Sequence, residues 1–187
     1  MIREGTAAKD LDALIPVLKE KNTRKCMFVT DDRHPKDLKV HINDMVRRAV
    51  DAGVDVVKAV QIGSLNTAEY FGLKNQGAIA PGYKADLLIM PDLKTFKPDI
   101  VIKDGKIAAE NGELTQAFSK FEKPSVRSSI NVRWIEPKDF EIKGSSKYVN
   151  TIEIIPHQLV TKSSVCEAKF ENGLLQSNID KDVLKIL

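Results

Sequence analysis

Apolar residues recur along this chain with two different periods. Between residues 9 and 18, Leu11, Leu14, Ile15 and Leu18 fall at i, i+3, i+4 and i+7, which predicts an amphipathic helix that Pro16 would kink late in its course. The apolar run 25–30 is too short for a helix and predicts a strand buried on both faces, as in a parallel sheet. It ends abruptly at Asp31-Asp32-Arg33-His34. Pro35 then suits the first turn of a helix whose inner face would be Ile42, Met45, Val46, Ala49 and Val50, closed by Gly53. Asp55 is placed to cap a further helix through Val56, Val57, Val60 and Ile62. Asn66 and Glu69 have the spacing of a capping box, with Gly72 after them. The opening Met1-Ile2-Arg3-Glu4-Gly5 reads as the end of a strand running into a loop, so the order to this point belongs to the α/β class.

After residue 77 the pattern turns to β. Asp104-Gly105 between two β-rich runs predicts a hairpin with a type I′ turn, and residues 77–109 read as antiparallel structure. The polar stretch 113–129 reads as an exposed connection. Alternation resumes over 148–160 around Ile152, Ile154 and Ile155, and residues 182–187 alternate like the start of a strand. Three segments follow: 1–73 (α/β), 74–112 (β) and 113–187, a linker with an incomplete β-rich domain.

The 187 residues, 42% hydrophobic and 29% charged, suit a soluble globular chain and allow independent folding. They are too few for a complete (β/α)₈ barrel, which takes about 250. A net charge of +3, with basic and acidic residues interspersed and one Trp, lacks the footprint of a nucleic-acid binder. No stretch approaches the ~20 apolar residues of a membrane span, and the N-terminus has no apolar signal core, so a cytoplasmic protein is expected. Cys26 and Cys166 follow no metal spacing and read as two small apolar side chains in a reducing compartment.

The candidate chemistry sits where the run 25–30 gives way to the loop Asp31-Asp32-Arg33-His34. Loops at the carboxyl ends of parallel strands collect ligands, and a carboxylate there can bind a divalent metal or exchange a proton with its water. Equally, Asp31 and Asp32 could cap the following helix and pair with Arg33. Arg3 and Glu4 end the first strand remnant and could face the same side, or pair with each other. His34 and His41 are too widely spaced for an i, i+4 metal pair, so His41 reads as a polar neighbour on the helix and His157 as a surface residue.

Gly77-x-Ile79-x-x-Gly82-x-x-Ala85-Asp86 resembles the segment that leads metal-dependent amidohydrolases from their barrel into a small β-sandwich. Residues 3–8, 30–35, 65–72 and 154–161 together, in the same order, resemble the bacterial adenine deaminases over essentially the whole chain, but only the later part of that family's longer chain. The resemblance implies the last strands and helices of a (β/α)₈ amidohydrolase barrel, then a β-sandwich segment and a further C-terminal β-rich domain. It implies hydrolysis of a cyclic amidine C–N bond, converting adenine to hypoxanthine and ammonia at a divalent metal (Mn, Fe or Zn). Asp31 matches the catalytic, metal-binding carboxylate after the eighth strand. Asp32, Arg33 and His34 match residues beside the substrate or behind the ligands, and Arg3 and Glu4 the loop after the seventh strand.

The family's H-x-H motif and later histidines have no counterpart here. The chain is therefore expected to be a truncated or split gene product, to retain no metal alone, and to need a partner bearing the N-terminal part. Uncovered barrel strands would make residues 1–73 self-associate, giving homo-oligomers. The competing expectations are another cyclic-amidohydrolase relative and a non-catalytic β-rich interaction module.

Overall fold

In the computed structural model, Ile2–Arg3 (β1) lies parallel to Phe28–Val29 (β2), with Ile2 opposite Phe28 and Arg3 opposite Val29. The structure describes residues 1–187 apart from 21, 116, 118–121, 123, 125–129 and 187. They fall into two units, Met1–Ser119 and Lys120–Leu187.

The first unit begins as a βαβ motif, in which Leu11–Leu18 (α1) connects the two strands. Parallel strands joined this way end on the same side, so the loops after Arg3 and after Val29 meet there. The paired part of β2 is shorter than the apolar run. Cys26 N–H bonds to Thr23 O at 2.8 Å, which makes Lys25 and Cys26 part of a turn rather than of the strand. Helix α1 buries Leu11, Ile15 and Leu18, and Pro16 stands in its last turn, where a missing N–H breaks little.

Ile42–Asp51 (α2) buries the expected Met45, Val46 and Ala49, but Pro35 does not begin it. Pro35–Asp37 is a separate 3₁₀ turn capped by His34. So Asp31 and Asp32 cap nothing, and the capping alternative fails. Gly53, at φ +91°, ends α2 by donating to Val50 O while Val54 N–H reaches Ala49 O, the double bond of a Schellman motif.

Asp55 caps Val56–Gly63 (α3) as expected, accepting from Lys58 N–H at 2.9 Å. Its buried residues are Ala59 and Ile62, however, while Val57 and Val60 are exposed. Leu65–Tyr70 (α4) already includes Asn66, so there is no capping box at 66–69. The Asn66 amide is buried and donates to Thr23 O and Cys26 O, and Glu69 pairs with Arg24. Ile2, Phe28, α1, α2 and α3 enclose one core, into which Phe96 projects from the β region with 1% of its surface exposed.

The antiparallel sheet runs Leu87–Ile89 (β3), Ile100–Lys103 (β4), Lys106–Glu110 (β5) and Glu113–Leu114 (β6), in that order. Asp104 and Gly105 both have positive φ, as a type I′ turn requires. Residues 113 and 114 form a strand rather than opening a connection. The rest of the 113–129 expectation lies largely outside the described residues.

The G-x-I-x-x-G-x-x-A-D segment has a physical explanation. A Cβ on Gly77 would lie 2.9 Å from Ala68 Cβ and from Leu65 Cα, so only glycine fits against α4. Asp86 accepts from Asp104 N–H at 2.8 Å and from Lys103 Nζ at 2.5 Å, holding the hairpin turn.

In the second unit Tyr148–Ile154 (β7) pairs antiparallel with Thr161–Glu167 (β8), and Lys169–Glu171 (β9) with Leu174–Gln176 (β10). The alternation over 148–160 is thus one strand and a turn, in which exposed His157 has φ +63°. Of the strand expected over 182–187, the described residues show a single bridge from Val183 to Asn178, after a 3₁₀ turn at Ile179–Lys181.

Candidate active site

Side chains alternate across a strand, so Ile2 and Glu4 point one way and Arg3 the other. Ile2 and Phe28 are buried in the helical core, which puts Arg3 and Val29 on the face turned away from the helices. Glu4 follows Ile2 inward. Its Oε1 lies 2.5 Å from Arg48 Nη1 on α2, and Oε2 accepts from Leu11 N–H at 3.2 Å. Only 7% of Glu4 is exposed, so this carboxylate braces the strand against two helices and does not pair with Arg3. Arg48 also bonds Asp12, and although burial pulls its pKa down, the hydrogen bonds to Glu4 and Asp12 raise it overall.

Arg3 reaches along its own face. Its Nε donates to Asp10 Oδ2 at 3.1 Å and its Nη1 stands 3.8 Å from Asp31 Oδ2. Asp31 follows β2 at φ +55°, a left-handed conformation uncommon outside glycine but most accessible to Asn and Asp. Its Oδ1 accepts from Asp32 N–H at 3.0 Å, so each carboxylate oxygen has its own neighbour.

The remaining predicted residues bind the two loops together. Asp32 is exposed and its carbonyl accepts from Thr6 N–H. Arg33 gives its guanidinium to the carbonyls of Glu4, Asp37 and Val40, with no pair to Asp31 or Asp32. His34 N–H donates to Thr6 Oγ1, whose hydroxyl donates to Asp37 at 2.6 Å. That hydroxyl is the main reason the Asp37 carboxyl sits below its ordinary pKa. His41 precedes α2, with Nε2 3.4 Å from Thr30 Oγ1. Asp10, Thr6 and Gly5 escaped the sequence reading: Asp10 looks like a helix cap, and Gly5 has no side chain to draw notice.

A cleft of about 220 Å³ opens beside the loops between Glu4, Arg33, Lys36, Lys39 and Arg48, but Asp31 does not line it. Among the described residues no three His, Cys, Asp or Glu side chains are placed to hold a metal ion. A catalytic divalent ion takes three or more protein ligands, and here Asp31 offers one. The described residues therefore do not make a metal centre by themselves.

Residues 2–108 match the model of the amidohydrolase family. The chain belongs to that family. Over its full length it is 43% identical to adenine deaminase 2 of Carboxydothermus hydrogenoformans, 41% to an adenine deaminase of Dehalococcoides mccartyi and 45% to one of Desulfatibacillum aliphaticivorans. It covers 33% of each, so it spans about a third of the length of these curated relatives. Among solved structures, a β-aspartyl dipeptidase of Fervidobacterium islandicum AW-1 superposes with a TM-score of 0.50 at 19% identity, covering 63% of this chain and 35% of that one. That likeness bears on the amidohydrolase fold alone. The described residues contain no closed barrel, and β1 and β2 are the one parallel pair among them. No helix among them is long and apolar enough to cross a membrane.

Proposed function

We propose that this chain supplies the last barrel strands and the strand-end carboxylate of an adenine deaminase, with residues 1–73 closing the barrel, 74–112 belonging to the sandwich and 113–187 to a C-terminal β-rich domain. The observation that carries the reading is the match of this whole chain to a third of the adenine deaminases, and the carboxylate assigned to the chemistry is Asp31, exposed after β2, where Glu4 after β1 is buried against Arg48.

The reaction adds water at C6 of adenine, breaks the C6–N bond, and yields hypoxanthine and ammonia. A C6–O bond forms, the exocyclic amino group leaves with one proton of the water, and the other proton ends on ring N1. A positioned carboxylate can take the proton of the attacking water and return it to the departing nitrogen, and that is the role assigned to Asp31. Asp32 and His34, exposed on the same loop, are assigned to the substrate, whereas Arg33 and Glu4 hold the loops in place. Asp31 would give a divalent metal one ligand, and the metal would supply the Lewis acid that activates the water only if further ligands joined it.

The test replaces the matching third of the Carboxydothermus hydrogenoformans relative with these 187 residues and measures ammonia release from adenine. The chimera should be active and Asp31→Asn should abolish turnover. A folded chimera that releases no ammonia from adenine, or full activity in Asp31→Asn, would count against the proposal.

A further inference from the structure

We infer that Arg3 is a positioning residue for Asp31, itself held in place by Asp10. The inference rests on the role proposed for Asp31. Three observations on separate segments converge on it. Strand alternation sends the Arg3 side chain to the face away from the helices, where its neighbours Ile2 and Glu4 do not go. The loop after β1 then turns back, with Gly5 N–H bonded to Ala8 O and Asp10 N–H to Arg3 O, which returns Asp10 to the root of the Arg3 side chain. Asp10 fixes the guanidinium through Nε at 3.1 Å and leaves Nη1 facing Asp31 Oδ2 at 3.8 Å.

The carboxylate of Asp31 needs such a partner. Its residue stands in the left-handed region just past the last paired residue of β2, where no ladder bond restrains it. One oxygen is held by the next backbone N–H, and this alone leaves the other free to swing with the loop. Arg3 places its charge beside the other oxygen, an ion pair at 3.8 Å, and Asp10 fixes the planar guanidinium that presents it. Asp10 does not cap α1 with its side chain, so its carboxylate serves Arg3 in preference to the helix end it adjoins.

The experiment uses the chimera described above, with kcat and KM for adenine measured on Arg3→Ala, Arg3→Lys, Asp31→Asn and the double variant Arg3→Ala/Asp31→Asn. Misplacing a reacting group by about 1 Å costs up to ~100-fold in rate. Arg3→Ala is therefore expected to lower kcat about tenfold to a hundredfold with KM within about twofold. Arg3→Lys should recover part of the loss, and the double variant should be no worse than Asp31→Asn alone. Inactive Asp31→Asn with Arg3→Ala at full kcat would overturn the inference and leave the function standing. Active Asp31→Asn would overturn the function. A kcat loss in Arg3→Ala that matches a fall in thermal midpoint and is not relieved by lysine would reduce Arg3 to a structural residue. Independently of turnover, crystal structures of the 187-residue chain should show the Asp31 carboxylate turned or spread over rotamers in Arg3→Ala, and an unmoved, single carboxylate would also overturn it.

Discussion

Gly5 passes so close to Asp31 that a Cβ on it would lie 3.1 Å from the Asp31 Cβ, and 3.0 Å from the carbonyl oxygen of Asp32. Both obstacles are backbone or next to it, so neither can swing aside. The loops after β1 and β2 are joined by Thr6 N–H to Asp32 O, and a side chain at Gly5 would press on this junction. Gly5→Ala is expected to destabilise the first unit by about 1–3 kcal/mol, the usual cost of overpacking, and to part the two loops. Urea unfolding reads the first effect, and faster hydrogen exchange at Thr6 N–H reads the second. An unchanged midpoint would show that the approach is not tight.

Arg48 neutralises a carboxylate that the fold has buried. Removing it in Arg48→Ala leaves Glu4 without its cation while Leu11 N–H remains as a single donor. Breaking a fully buried pair costs about 3–5 kcal/mol, and with Arg48 still partly in solvent we expect about 2–3 kcal/mol. Glu4→Gln should cost less, because the amide carries no charge to strand and its oxygen can still accept from Leu11. Equal losses in the two variants, measured by urea midpoint, would contradict the charge argument.

Much of this arrangement is legible in the sequence, for reasons that particular residues make plain. The 3.6 period of Leu11, Ile15 and Leu18 and of Met45, Val46 and Ala49 marks helix faces because burial selects those positions, and Asp104-Gly105 marks its turn because few residues accept two positive φ values. Asp31 stood out by its place after an apolar run. What remained hidden depends on which distant groups meet. Asn66 has the spacing of a cap but spends its amide on Thr23 and Cys26, 43 and 40 positions back. Val57 and Val60 extend an apolar pattern yet face outward. Strand β8, Thr-Lys-Ser-Ser-Val-Cys-Glu, carries hardly any apolar signal and is a strand because β7 pairs with it along its length.

Acid should weaken the chain in a defined window. Asp37 is held below the ordinary carboxylate range by the Thr6 hydroxyl, Asp86 by Asp104 N–H and then Lys103, and Asp139 by Arg133 and then Glu136 N–H. With each pKa lower folded than unfolded, the folded state binds fewer protons. The stability they contribute is present above the unfolded value of about 3.9 and is lost as pH falls through the folded values. Thermal midpoints should hold between pH 7 and about 5 and decline below about 4 at constant ionic strength. Asp86→Asn should start lower and decline less steeply, and a parallel decline would remove Asp86 from the account.

The strand that carries Asp31 is steadied from its other end by Asn66. This side chain is 4% exposed on α4, and its Nδ2 donates to Thr23 O and Cys26 O, both at 2.9 Å, in the turn that leads into β2. Glu69 of the same helix also pairs with Arg24 in that turn at 2.7 Å, an exposed contact that adds little. Asn66→Ala leaves Cys26 O without this donor and Thr23 O with Cys26 N–H alone, at a cost of about 1–3 kcal/mol. Leucine would restore volume but no donor, so Asn66→Leu should stay close to the alanine variant. Aspartate, nearly the same shape, would set oxygen against oxygen and should be the least stable of the three. If Asn66→Leu unfolds at the same urea concentration as the parent chain, the site is held by packing, and the amide is not what positions β2.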